Sequence, residues 1–95
     1  LIERVPYSHL SWFNLGHAYA GKHMWDEALD AFEYTIAIKE DFESGHICLG
    51  DVKFMQEAYE DALNFYHDAL KIAKPNKELY LKTAECYDKL GDMPK

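Results

Sequence analysis

The sequence predicts an all-α fold, an α-solenoid in which one pair of helices is repeated along the chain. Three observations support this prediction. The segment WDEALDAF at residues 25–32 returns as YEDALNFY at residues 59–66, a shift of 34 residues. Apolar residues recur at helical spacing, and no useful length of sequence alternates with the period of a strand. Because one helix pair cannot bury its apolar face alone, neighbouring pairs must cover it.

The first pair of helices is predicted at residues 8–20 and 25–39. Apolar and small residues recur at i, i+3, i+4 and i+7 in the first helix, and Gly21 follows it. Asp26 and Glu27 favour the start of the second helix, because carboxylates stabilise a helix N-terminus. Gly16 is predicted to let the two helices approach closely, and Phe32 to fill the space between successive pairs.

The remaining helices are predicted at residues 43–55, 58–73 and 76–90. They repeat the first pair in register, with Gly50 and Tyr66 in the places of Gly16 and Phe32. Pro75 stands at a joint where a helix must stop or restart. We therefore expect one domain with the following parts: residues 1–7 as the end of a preceding repeat, 8–41 as repeat 1, 42–75 as repeat 2, and 76–95 as the first helix of repeat 3. Because the chain starts on Leu1 rather than Met, we expect a fragment of a longer array.

The repeated unit resembles the tetratricopeptide repeat, whose signature is W-x₂-L-G-x₂-Y followed by Ala, an aromatic residue and Pro. The first unit matches it at Trp12, Leu15, Gly16, Tyr19, Ala28 and Phe32, and departs from it at Glu40 in place of the proline. The second unit keeps Leu49, Gly50, Ala62 and Tyr66, but has His46 and Lys53 at the two other aromatic positions. The third keeps Tyr80, Ala84 and Tyr87, with Thr83 in place of the leucine.

The resemblance implies a right-handed superhelix of these helix pairs. It also implies that the first helix of each pair lines a concave groove that binds peptides or helices of partner proteins. The candidate groove residues are Phe13, His17, Ile47, Asp51, Phe54, Leu81, Glu85 and Asp88. Together they form an apolar strip edged by acids, which suits a partner with apolar and basic side chains. The alternative interpretation is ordinary packing between helices beside a solvated acidic face.

Two functional subtypes of the family are disfavoured by the residues at their key positions. Chaperone-binding members hold a C-terminal carboxylate with Lys and Asn side chains, whereas the corresponding positions here carry no constitutive cation. Members attached to sugar transferases carry a ladder of asparagines, but here Asn14 is followed by Cys48 and Lys82. The resemblance therefore implies protein binding without specifying one of these ligands.

Composition excludes several other classes of function. The chain has 95 residues with 10 Lys and Arg against 17 Asp and Glu, a net charge of −7. This charge disfavours nucleic acid and anionic membranes as partners. The two cysteines are far apart in sequence, which indicates free thiols in a reducing compartment, and we expect a cytoplasmic protein.

No motif indicates catalysis. The five histidines show no metal-ligand spacing and no glycine-rich phosphate loop is present, so we expect no cofactor, no metal and no enzyme activity. The predicted function is a protein–protein interaction scaffold with no chemistry of its own. The alternative is the substrate-selecting repeat region of a larger enzyme, such as a glycosyltransferase. Self-association through uncapped terminal helices is a further expectation.

Overall fold

The computed structural model describes residues 8–74 and 76–91. These residues form five α-helices: α1 (His9–Gly21), α2 (Trp25–Ile38), α3 (Glu43–Met55), α4 (Tyr59–Ile72) and α5 (Lys77–Gly91). Each helix end lies within one residue of its predicted position, and the described ranges contain no strand. The expected end of a preceding repeat, residues 1–7, lies outside the described residues, as do Pro75 and residues 92–95.

Side-chain caps mark the starts of two helices, α1 and α5. The hydroxyl of Ser8 accepts a hydrogen bond from the backbone N–H of Ser11 at 3.3 Å, which caps α1. The Oδ1 atom of Asn76 accepts from the backbone N–H of Leu79 at 2.7 Å, at the start of α5. Both are typical capping contacts, which satisfy backbone donors that a helix leaves without an internal partner.

The same turn joins the two helices of each pair. His23 and Glu57 adopt left-handed backbone conformations, with φ of 62° and 63°. In each turn the backbone N–H of the following residue, Met24 or Ala58, donates to a carbonyl five residues earlier, at 3.0 and 2.9 Å. Gly21, which the sequence suggested as the break, instead completes α1 and has no positive φ. The repeat therefore extends to backbone conformation, although neither left-handed position carries a glycine.

Close packing within each pair depends on a glycine under an aromatic ring. A Cβ added to Gly16 would lie 2.5 Å from Cε1 of Phe32, and one added to Gly50 would lie 2.6 Å from Cε1 of Tyr66. Real Cβ atoms do not approach carbon atoms so closely. The predicted close approach of the helices is confirmed, and α1 packs on α2 as α3 packs on α4.

The same rings also reach the next pair, as predicted. Phe32 belongs to a buried cluster that contains Leu49 and Val52 of α3. Tyr66 belongs to a second cluster that contains Leu79 and Cys86 of α5. The core is thus a row of layers, each spanning one joint between pairs, and the described molecule is elongated, with extents of 51 × 29 × 19 Å. This architecture is an α-solenoid.

Candidate functional site

A cleft that spans the three units, called the main cleft, is lined by the first helices of those units and by the residue that caps α5. It has a volume of about 510 Å³, within the range of about 300–1,000 Å³ that is usual for ligand clefts. Its lining residues are Phe13 from α1; Glu43, Ser44, Ile47, Cys48 and Asp51 from α3; Asn76 before α5; and Glu78, Leu79 and Lys82 from α5. The cleft therefore crosses the joints between successive pairs and offers both apolar and charged side chains.

Asp51 links three helices at the floor of this cleft. Its Oδ1 atom lies 3.1 Å from Nζ of Lys82 on α5, in a partly exposed ion pair. The hydroxyl of Tyr66 on α4 donates to the same oxygen at 2.5 Å. Asp51 was predicted as one of the acids at the edge of the groove, and its carboxylate has two internal partners in the structure. The cleft's one lining cation, Lys82, is neutralised by the same contact.

The hydroxyl of Tyr66 remains a hydrogen-bond donor at any ordinary pH. Burial of the ring raises the pKa of Tyr66 well above its usual range, and the hydrogen bond to Asp51 raises it further. Both causes act in the same direction, because each disfavours a phenolate beside a carboxylate in a poorly solvated site. The contact is therefore a fixed feature of the second repeat.

Aromatic rings form the α1 side of the cleft. Phe13 is half-buried and makes an edge-to-face contact with Phe42, at 5.1 Å between ring centroids, and a tilted contact with Phe32 at 5.8 Å. It also contacts the ring of His17 edge-to-face at 4.5 Å. Phe13 consequently contributes to packing between pairs while part of its ring faces the cleft.

A smaller cleft of about 250 Å³ adjoins the first and shares Cys48 and Asp51 with it. His17 lines this second cleft, and its Nε2 atom lies 3.5 Å from Sγ of Cys48. Burial raises the pKa of Cys48 to about 12, and the nearby charge of Asp51 raises it as well. The thiol therefore stays protonated, which is the opposite of the low pKa that a nucleophilic cysteine needs.

The predicted groove residues fall into three groups. Phe13, Ile47 and Asp51 line the main cleft, and His17 lines the adjoining one. Phe54 packs against Tyr59, with ring centroids 5.1 Å apart, and lines neither cleft. The others lie on α5: Leu81 is 56% exposed beside Tyr80 on a separate shallow surface, while Glu85 and Asp88 are exposed and line no cleft described above.

Seven lining residues were not predicted: Glu43, Ser44, Cys48, Asn76, Glu78, Leu79 and Lys82. A sequence signal for some of them exists. Glu43 and Ser44 precede Ile47 by four and three residues, which places all three side chains on one helix face. Ser44 and Glu78 also occupy the same position in successive repeats, as Cys48 and Lys82 do.

The two described ranges contain no cluster of candidate metal ligands. No group of three or more His, Cys, Asp or Glu side chains there could hold a metal ion. In the same part of the chain, no helix is long and apolar enough to cross a membrane.

Of the comparisons with known proteins, the one with solved structures supports the fold. No protein-family model matches the sequence, and no curated protein is recognisably similar to it. The crystal structure of MamA, a helical repeat protein of the tetratricopeptide type, is similar to this chain with a TM-score of 0.85 at 21% sequence identity. The match covers 88% of this chain and 49% of the MamA chain, so this chain spans about half the length of that structure. The chain has the α-solenoid fold of tetratricopeptide-like helical repeats.

Proposed function

We propose that this chain is a protein-interaction scaffold that binds a peptide segment of a partner protein in the main cleft. The observation that carries this proposal is the cleft itself, which is lined by α1, α3 and α5 and not by α2 or α4. Such a surface is preformed. Less of the binding free energy is therefore spent on ordering the protein when a peptide binds.

The chemistry of the lining favours a peptide with apolar and basic side chains. Phe13 and Ile47, which are half-buried, offer apolar contact along the cleft. The carboxylates on its lining outnumber its single cation, which is already paired with Asp51. An apolar side chain can therefore be buried in the cleft while a basic neighbour meets the acidic edge.

The experiment places a large side chain in the cleft without altering the core. Ser44 lines the cleft and is half-buried, so Ser44→Arg should obstruct it. Ser11→Arg is the matched control, because Ser11 is exposed on α1 and lines neither cleft. An array of nine-residue peptides with Leu fixed at the centre and every residue sampled at the other positions serves as the probe.

We expect the parent chain and Ser11→Arg to bind the same subset of peptides, and Ser44→Arg to lose at least about tenfold in affinity for them. Circular dichroism must show equal helix content in all three proteins. Undiminished binding by Ser44→Arg would mean that the peptides bind elsewhere. A parent chain that binds no peptide of the array would contradict the proposed function.

Three narrower proposals accompany this one. The division into repeats at residues 8–41, 42–75 and 76–95 is supported by the packing of α1 on α2 and of α3 on α4. A reducing cytoplasmic environment is supported by the two free cysteines, Cys48 and Cys86.

Self-association is supported by the face of α5, where Tyr80 and Tyr87 are 52% and 54% exposed. A mass that rises with concentration in light scattering would support it, and a constant monomer mass would overturn it.

A further inference from the structure

We infer that Glu43 and Glu78 select a lysine or arginine side chain in the bound peptide, at a position close to its apolar anchor. This inference rests on the proposed function, since it concerns the same cleft. It assigns the recognition of charge to two residues on the cleft lining rather than to Asp51, Glu85 and Asp88, the groove acids expected from the sequence.

Both glutamates are exposed and both line the main cleft, although they come from different repeats. Glu43 lies in the first turn of α3 and Glu78 in the first turn of α5. Among the described residues neither forms an ion pair. Lys82 lies one helical turn beyond Glu78, but its ammonium group pairs with Asp51 instead, at 3.1 Å. The two glutamates therefore leave uncompensated negative charge at this cleft.

The charge balance at this surface favours a cation and disfavours an anion. A lysine or arginine side chain that reaches the cleft meets two carboxylates with no internal competitor. A partner carboxylate would meet the same two charges, and Lys82, the one cation on the described lining of the cleft, is already bound to Asp51. Ion pairs at exposed sites strengthen binding by about two- to fivefold each, so we expect discrimination of roughly tenfold for the pair.

The position of the basic residue follows from the helix geometry. Glu43 lies one turn before Ile47, which corresponds to a rise of about 5–6 Å along α3. An extended peptide rises about 3.3 Å per residue. A basic side chain that reaches Glu43 should therefore belong to a residue within about two positions of the apolar residue that contacts Ile47.

An alternative explanation of the two glutamates is purely local. Carboxylates in the first turn stabilise a helix N-terminus, and α2 and α4 also carry first-turn acids. Glu27 and Glu60 are such acids, and both are exposed and line neither cleft. They share the helix-end role of Glu43 and Glu78 without sharing the cleft, which makes them matched controls.

The test uses the same Leu-centred peptide array with three proteins: the parent, Glu43→Gln/Glu78→Gln, and Glu27→Gln/Glu60→Gln. We expect the parent to prefer Lys or Arg over Glu by roughly tenfold at a position within two residues of the Leu. Glu43→Gln/Glu78→Gln should lose this preference and most of its salt dependence while still binding Leu-containing peptides. Glu27→Gln/Glu60→Gln should bind the peptides as the parent does. Both double variants should lose a similar small amount of thermal stability, because each loses two first-turn carboxylates.

Each result distinguishes the two proposals. Peptides that bind the parent without a basic preference, or a preference that survives in Glu43→Gln/Glu78→Gln, would overturn this inference and leave the peptide-binding cleft standing. Loss of the preference in both double variants would show an effect of total charge rather than of these two residues. Failure of the parent to bind any peptide would remove the proposed function and this inference together.

Discussion

Lys82 on α5 and Asp51 on α3 form an ion pair across the joint between the second and third units, with Nζ 3.1 Å from Oδ1. The hydroxyl of Tyr66 on α4 donates to the same carboxylate oxygen. Because Tyr66 is only 2% exposed, this contact connects the buried core of the second unit to the floor of the cleft. Asp51 thus links three helices, two of which, α3 and α5, line the main cleft.

Removal of the buried hydroxyl should destabilise the fold. Tyr66→Phe keeps the ring that covers Gly50 but leaves Asp51 with Lys82 as its remaining partner. Hydrogen bonds to charged groups contribute about 1.5–3 kcal/mol, so we expect the free energy of unfolding to fall by about that amount. Urea denaturation followed by circular dichroism measures it. Tyr34→Phe, at a ring that is 54% exposed, is the control and should change stability little. Equal urea midpoints for Tyr66→Phe and the parent would show that the hydrogen bond from Tyr66 to Asp51 makes no net contribution to the free energy of unfolding.

A methyl group at either helix crossing should force a pair of helices apart. Gly50→Ala would place a Cβ 2.6 Å from the ring of Tyr66, with no room for it. Overpacking of this kind costs about 1–3 kcal/mol, and the better helix propensity of alanine offsets at most about 1 kcal/mol. Gly21→Ala is the control, since nothing lies within 4 Å of an added Cβ there. Thermal melts should show a lower midpoint for Gly50→Ala and an unchanged or higher one for Gly21→Ala. The opposite order would contradict the packing described for α3 and α4.

The left-handed turn between α3 and α4 offers a stabilising substitution. Glu57 has φ of 63° and is exposed, so its side chain gains little from this position. Glycine adopts such a conformation without the steric cost, and we expect Glu57→Gly to raise the free energy of unfolding by about 0.5–1 kcal/mol. Glu60→Gly, inside α4, should lower it by a similar amount. If Glu57→Gly also destabilised the protein, the turn would not carry the strain that its φ value indicates.

The helices could be predicted well because the same pattern of residues occurs in successive repeats of the sequence. The spacing of Gly16 from Phe32 matches that of Gly50 from Tyr66, and both pairs make the predicted contact. The left-handed residues His23 and Glu57 could not be predicted in this way, because neither position carries a glycine and the two residues share no type that marks the turn.

The cleft was harder to predict than the helices. Equivalent positions of the repeat differ in burial: Ile47 packs against the second core cluster, whereas Leu81 is 56% exposed. The next pair of helices covers the first position, and no described helix covers the second. The pairing of Asp51 with Lys82 also depends on the angle between successive units. That angle cannot be derived from the spacing of residues within one helix.

Burial of Cys48 should make stability depend on pH in the alkaline range. Its pKa rises from 9.0 to about 12 in the folded chain, chiefly because burial disfavours the thiolate. Between these values the unfolded chain releases the thiol proton while the folded chain retains it. The stability that this group contributes is therefore fully present below pH 9 and is lost as pH rises towards 12.

The matched variant is Cys48→Ser, which keeps a small polar side chain that does not titrate in this range. We expect the urea midpoint of the parent to fall more steeply between pH 9 and 11 than that of Cys48→Ser. Tyr66 and Cys86, whose pKa values are also raised, contribute to both proteins and cancel in the difference. Alkylation by iodoacetamide gives a second readout: at pH 8 Cys48 should react far more slowly in the folded chain than in urea. Parallel pH profiles together with equal alkylation rates would show that the thiol is not desolvated, and that the two clefts are more open to water around Cys48 than its burial indicates.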